Sequence, residues 1–225
     1  MKPDDLDRRI LWEDCGVLAV NKPPDMPTSG RNLDDDDCLQ YWLMQRHGGM
    51  VWAVHQLDAD TSGVNLFVTE RRLVAVMKSQ MAKESAQKRY LALVRGHPEW
   101  EEQALQAPIG PVDERSLGIC EDGKPAHSLF TVRAKGDGAT LVEARIFTGR
   151  THQIRIHLAH LGHPVLGEEW YVRPTCVAHP RQALHAWKME LDELELEAPV
   201  PQDLRELMAE WGIDPGRLKM PTPAL

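Results

Sequence analysis

The chain has 225 residues, 42% of them apolar and 27% charged, with a formal net charge of -8. That length and apolar content suit one large domain, or one divided by a cleft, around a real core; no run reaches the roughly 18–20 apolar residues of a membrane span, and the polar stretch from Met1 to Arg9 lacks the apolar centre of a secretory signal. The acidic balance weighs against a generally basic nucleic-acid binder, and the four cysteines, Cys15, Cys38, Cys120 and Cys176, are too scattered for a Cys-x-x-Cys site and read as reduced thiols of a cytoplasmic protein.

Residues 9–22 are predicted as one or two strands, ending in the apolar run Val17-Leu18-Ala19-Val20. Asn21-Lys22-Pro23-Pro24 stops it, because two prolines lock φ and remove donors. Asp34 to Asp37 precede a helix with Cys38, Leu39, Trp42 and Leu43 on one face; the acids are expected to cap its positive end and Gly48 to close it. The polar stretch His55-Gln56-Leu57-Asp58-Ala59-Asp60-Thr61-Ser62-Gly63 follows. It leads into an alternating strand in which Val64, Leu66 and Val68 share one side. A polar loop between strands is where a fold presents chemistry, although Asp and Ser side chains also serve their own turns there.

A helix is predicted over 71–83, a strand over 87–95, and loop with short strands over 97–125. His127 to Ala134 and Thr140 to Phe147 read as strands joined by a tight hairpin. Thr148-Gly149-Arg150-Thr151 opens a further helix, with Thr151 as its N-cap, Ile154, Leu158 and Leu161 as its stripe, and Gly162 as its stop. A strand over 182–191 and a helix over 203–211 complete the pattern, followed by a proline-rich tail over 212–225. Many strands with interspersed helices argue for an α+β fold with a mainly antiparallel sheet.

Four constellations carry candidate chemistry. Arg150 and Thr151 stand at a helix start, where free N–H groups attract anions, and Arg155 points back toward the same end. His152, His157, His160 and His163 recur, but the spacing of a helical zinc pair is missing and no carboxylate joins them, so no metal is expected. Lys88-Arg89-Tyr90 could stack a base between cations. From Arg71 to Arg95 seven cations stand against one acid, Glu84. Such a run can bind phosphates whatever the net charge, or can simply be a solvated face.

Five segments then occur in order: Val20-Asn21-Lys22-Pro23; His55-Gln56-Leu57-Asp58-x-x-Thr61-Ser62-Gly63; Gln87-Lys88-Arg89-Tyr90 with Val94-Arg95-Gly96; Gly149-Arg150-Thr151-His152-Gln153-Ile154-Arg155 running on to Gly162-His163-Pro164-Val165-Leu166-Gly167; and Leu184-His185-Ala186. Together they resemble the RluA-type family of RNA pseudouridine synthases. The resemblance implies a mixed α/β catalytic domain around a long, bent, mainly antiparallel sheet, with flanking helices and a central RNA-binding cleft. The chain is then expected to be one such domain over 1–225, with its core at about 9–211 and without the small RNA-binding domain that many relatives carry before it.

The implied activity is isomerisation of uridine in ribosomal or transfer RNA, without cofactor or metal, by a cytoplasmic monomer with no membrane contact. The base is flipped out, detached, rotated and rejoined through carbon. On this resemblance Asp58 is the catalytic aspartate, Tyr90 packs against the base, Arg155 pairs with the aspartate, and Leu184 lines the pocket. His55, Gln56, Lys22, Arg150 and Thr151 are candidates for contact with RNA. One departure stands out: the family usually has arginine where this chain has Gln56, which puts RNA affinity and target choice in question. The competing reading is a catalytically weakened RNA-binding protein or RNA chaperone on the same fold.

Overall fold

The protein is described by a computed structural model covering residues 3–114, 116–172, 179–214 and 216. Cys176 and most of the proline-rich tail lie outside these residues. In chain order the elements are α1 (Pro3–Asp7), β1 (Ile10–Asp14), β2 (Val17–Lys22), α2 (Leu39–His47), β3 (Trp52–Ala53), β4 (Ser62–Val68), α3 (Arg71–Met81), β5 (Gln87–Arg95) and β6 (Glu102–Gln106). There follow β7 (Ile109–Pro111), β8 (Leu117–Ile119), β9 (His127–Lys135), β10 (Ala139–Ile146), α4 (Gln153–His160), β11 (Leu184–Leu191), β12 (Leu194–Glu197) and α5 (Gln202–Glu210). The architecture is α+β with mostly antiparallel strand pairing, as expected. The chain forms two compact units, one of Met1–Gln87 with Ala186–Pro199, the other of Lys88–His185 with Val200–Leu225.

In the first unit the strand order is β1-β2-β4-β11, with β3 also on β4 and β12 on β11. β2 runs antiparallel to β4 from Val17 opposite Val68 to Lys22 opposite Gly63. Every residue of β4 is buried, and the period of two explains how. Val17, Ala19, Val64, Leu66 and Val68 join one apolar cluster, against which Leu73, Val74, Met77 and Met81 of α3 pack. Leu18, Val20 and Phe67 point the other way, into a cluster completed by Leu39 and Leu43 of α2 and by Leu6. A sheet covered on both faces needs apolar residues at consecutive positions, hence the continuous run at 17–20.

One expectation for this unit is corrected. The helix follows the acid run as expected, beginning at Leu39, but the acids do not cap it: its N-cap is Cys38 and its first turn holds no acid. Asp35 instead accepts the backbone N–H groups of Arg31 and Asn32, closing a turn upstream. A short carboxylate is free to serve local backbone donors rather than a helix end. α1 is an element the sequence did not announce: its Leu6 is fully covered, but five residues are too few for a visible periodicity. Gly48 ends α2 as expected, with φ 72° and its N–H on Met44 O.

In the second unit the order is β5-β10-β9-β6, with β7 and β8 paired beside it. The hairpin between β9 and β10 closes through Gly136 N–H on Ala139 O, with Gly138 at φ 83°. α5 buries Leu204, Leu207 and Met208, and the carbonyl of Trp211 just beyond it accepts the N–H of Asp137 in that hairpin. Thr151 is not the N-cap of α4. That position falls to His152 in the left-handed conformation, and neither His152 nor the exposed Thr151 caps the helix with its side chain. Gln153 instead ties down the turn before the helix, its Oε1 accepting Arg150 N–H at 3.1 Å and the Thr148 hydroxyl at 2.8 Å. Gly162, at φ 82°, ends the helix as expected.

Candidate active site

The Asp58 loop belongs to the first unit. Thr61 N–H donates to Asp58 O at 3.0 Å, so Asp58 opens a tight turn, with its side chain half-exposed. Buried polar groups hold the loop on both sides. The Thr28 hydroxyl accepts Leu57 N–H at 3.0 Å and donates to Asn65 Oδ1 at 3.0 Å. Asn65 Nδ2 in turn donates to His55 O at 3.1 Å. His55 Nε2 accepts Leu66 N–H at 3.1 Å, which leaves the ring proton of the neutral imidazole on Nδ1. At the exit Gly63 has φ 110°, and a Cβ there would stand 2.1 Å from Ala186 O. Glycine is required at this position for both conformation and space.

Two residues expected to meet RNA have partners within the protein. Lys22 is fully buried. Its ammonium donates to Pro23 O at 2.9 Å, Met26 O at 2.6 Å and Ala59 O at 2.7 Å. It clamps the loop from below and does not present itself to a phosphate, because a buried charge must find partners inside the protein. His55 likewise spends its Nε2 on the backbone of β4. Gln56 is exposed, with Nε2 on Ser29 Oγ at 3.0 Å.

The other expected residues belong to the second unit. Tyr90 lies on β5 opposite Ala144 and is buried. Arg155 projects from α4 into a buried fork with Glu168, Nε to Oε2 at 2.7 Å and Nη2 to Oε1 at 3.1 Å. The rings of Trp170 and Tyr171 lie 5.2 and 5.4 Å from the guanidinium carbon. Burial by itself would raise the Glu168 carboxyl. The bonds and charge of Arg155 and the N–H groups of Trp170 and Tyr171 outweigh it and hold the carboxyl below its ordinary value. A bidentate fork fixes the plane of the guanidinium as well as its place.

Leu184 is buried. Arg181 reaches its carbonyl at 3.3 Å and binds Asp203 at 2.6 Å. Arg150 is half-exposed, with Nε on Pro125 O at 2.9 Å. Glu168 is the residue that sequence reasoning passes over. It directly follows the Gly162–Gly167 segment, but an acid after a glycine, with Glu169 beside it, has neither spacing nor periodicity to mark it. Among the described residues, no three His, Cys, Asp or Glu side chains gather where a metal ion could be held, and no helix is long and apolar enough to cross a membrane.

Comparison with known proteins adds an independent line. The profile of the RNA pseudouridylate synthase family matches residues 16–160. Ribosomal large subunit pseudouridine synthase D of Nitrosomonas europaea is 32% identical over 89% of this chain, and the match spans 64% of that relative. Ribosomal large subunit pseudouridine synthase C of Pasteurella multocida is 30% identical over 92% of this chain and 69% of its own length. Among solved structures, human RNA pseudouridylate synthase domain containing 1 superposes with a TM-score of 0.74 at 29% identity, covering 94% of this chain and 89% of that one. With the ordered motifs, the α+β fold and a profile match over most of its length, the chain belongs to the RluA-type family of RNA pseudouridylate synthases.

Proposed function

We propose that the protein converts one or more uridines in RNA to pseudouridine, with Asp58 as the catalytic residue and Tyr90, Arg155 and Leu184 in the roles the family resemblance implies. The reaction is an isomerisation: the bond from the ribose to the base nitrogen breaks, the base turns, and a bond to its carbon forms. The observation that carries the reading is the Asp58 loop itself. Thr28, Asn65, His55 and Lys22 tie down the backbone on both sides of one half-exposed carboxylate. A group fixed in advance needs no reorganisation when charge develops beside it. The charged form of Asp58 is the one that can act as nucleophile or base.

The two bacterial relatives are named for the large ribosomal subunit, so ribosomal RNA is the first substrate to test and transfer RNA the second. In this reading the chain acts as a single catalytic domain, a cytoplasmic monomer that uses no cofactor. An RNA-binding protein without catalysis has Gln56 and the acidic net charge in its favour. Asp58→Asn keeps the shape of the side chain and removes its ionisation. It is expected to lower pseudouridine formation by at least about 100-fold with unchanged circular dichroism. Pseudouridine mapping of total RNA from cells with the gene, without it, and with Asp58→Asn reads the result. Sites that persist in the variant overturn the assignment.

A further inference from the structure

Beside the Asp58 loop, wholly inside the first unit, lies a groove of about 520 Å³. One wall is a face of α3, where Arg71, Val74, Ala75 and Lys78 follow each other at the three- and four-residue spacing that aligns side chains in a row. The other wall includes Trp52 of β3 and Gln56 of the loop. Arg71 and Lys78 are two turns apart, roughly 10 Å along the helix axis. Ala75 between them is too small to close the gap.

The charges of this face have an unusual arrangement. The third cation of α3, Arg72, is held by Glu70 at 2.7 Å. Among the described residues no carboxylate pairs with Arg71 or Lys78, both of which are exposed, and no acid lines the groove. A helix face that is merely solvated is usually laced with acids four residues from its bases, but α3 contains none. In a protein with a net charge of -8, a groove with two cations and no anion stands apart. Trp52 is half-buried, packed on one side against the cluster around β4 and lining the groove on the other.

We propose that this groove holds an unpaired stretch of RNA flanking the nucleotide that reacts. Arg71 and Lys78 each meet a phosphate, and the Trp52 indole gives a base a surface to stack on. Cations that track a backbone, with an aromatic between them, are how single strands are held without reading sequence. The proposal rests on the RNA-modifying reading above and adds to it a second, non-reacting contact.

The test uses the full chain and a single-stranded oligouridylate, with binding followed by fluorescence anisotropy over a potassium chloride series. Arg71→Gln with Lys78→Gln is expected to make the negative slope of log K against log salt shallower by about 1.4, two phosphates at about 0.7 each for a single strand. Arg72→Gln, already paired with Glu70, is expected to leave the slope near wild type. Ala75→Trp, at an exposed position, keeps both charges but fills the groove, and is expected to weaken binding at least tenfold. A double variant with the slope of Arg72→Gln, an Ala75→Trp protein that binds like wild type, or a wild-type chain that does not bind the oligomer overturns the proposal. Asp58-dependent pseudouridine mapping separates the two ideas. Mapped sites with an unchanged slope sink the groove alone, whereas a changed slope with no mapped site sinks the catalytic reading and leaves the groove.

Discussion

Glu168 and His157 show how much rests on single buried polar groups. The Arg155 and Glu168 side chains are 3% and 0% exposed, so removing Glu168 takes a bidentate carboxylate partner from a guanidinium buried in a poor solvent. Glu168→Ala is expected to destabilise the protein by about 3–5 kcal/mol, read as a shifted urea midpoint; a loss below about 1 kcal/mol would mean that the fork is dispensable. His157 is buried in a directed chain. Gln153 Nε2 donates to Ser128 Oγ at 2.9 Å, the Ser128 hydroxyl faces His157 Nδ1 at 3.0 Å, and His157 Nε2 faces Ala107 O at 3.0 Å. A carbonyl can only accept, so Nε2 carries the proton and Nδ1 receives the serine hydrogen. Burial lowers the His157 pKa, with His160 and His127 adding to it and the Ala107 bond opposing it. The folded state therefore binds fewer protons than the unfolded one, and this contribution to stability is lost as pH falls below about 6.5. An NMR titration of His157 is expected to show a midpoint below that value; one at or above it would contradict the buried neutral ring.

At the scale of elements, the Asp58 loop depends on a strand that precedes it by many residues. Lys22 ends β2, and its ammonium reaches Ala59 O across a separation of 37 residues. Lys22→Met keeps the bulk and orphans carbonyl oxygens, so it is expected to cost at least about 1–3 kcal/mol. It should leave the salt dependence of RNA binding unchanged, whereas a phosphate contact would shift the slope by about 0.7. Urea unfolding and a salt series on the same variant decide between clamp and contact. The longer strands and the hairpin were legible beforehand, because alternation and glycine-rich turns are local signals, whereas the short β12 was not. The start of α4 was not. Thr151 has the chemistry of a cap, but Gln153 two residues later reaches both Thr148 and Arg150, and His152 takes the left-handed turn.

At the scale of the whole molecule, the chain passes into its second unit at the start of β5 and returns to the first for Ala186–Pro199. That returning segment brings Met189, Leu191, Leu196 and Ala198 into the cluster around β4. Residues 1–87 alone would leave β4 with an edge that only the two-residue β3 pairs in part, and with an open core, and are expected to be unfolded by circular dichroism. A native-like sheet spectrum from that fragment would show that the segment is ornament. The sequence by itself determined the apolar rhythm of the strands, the order of the motifs and thereby the family, since each is a property of residues close along the chain. Only the tertiary structure decided which polar motif residues face inward. Lys22, His55 and Glu168 look like surface groups until carbonyls, amides and a guanidinium from distant segments close around them, and burial of a charge depends on partners that no local pattern encodes.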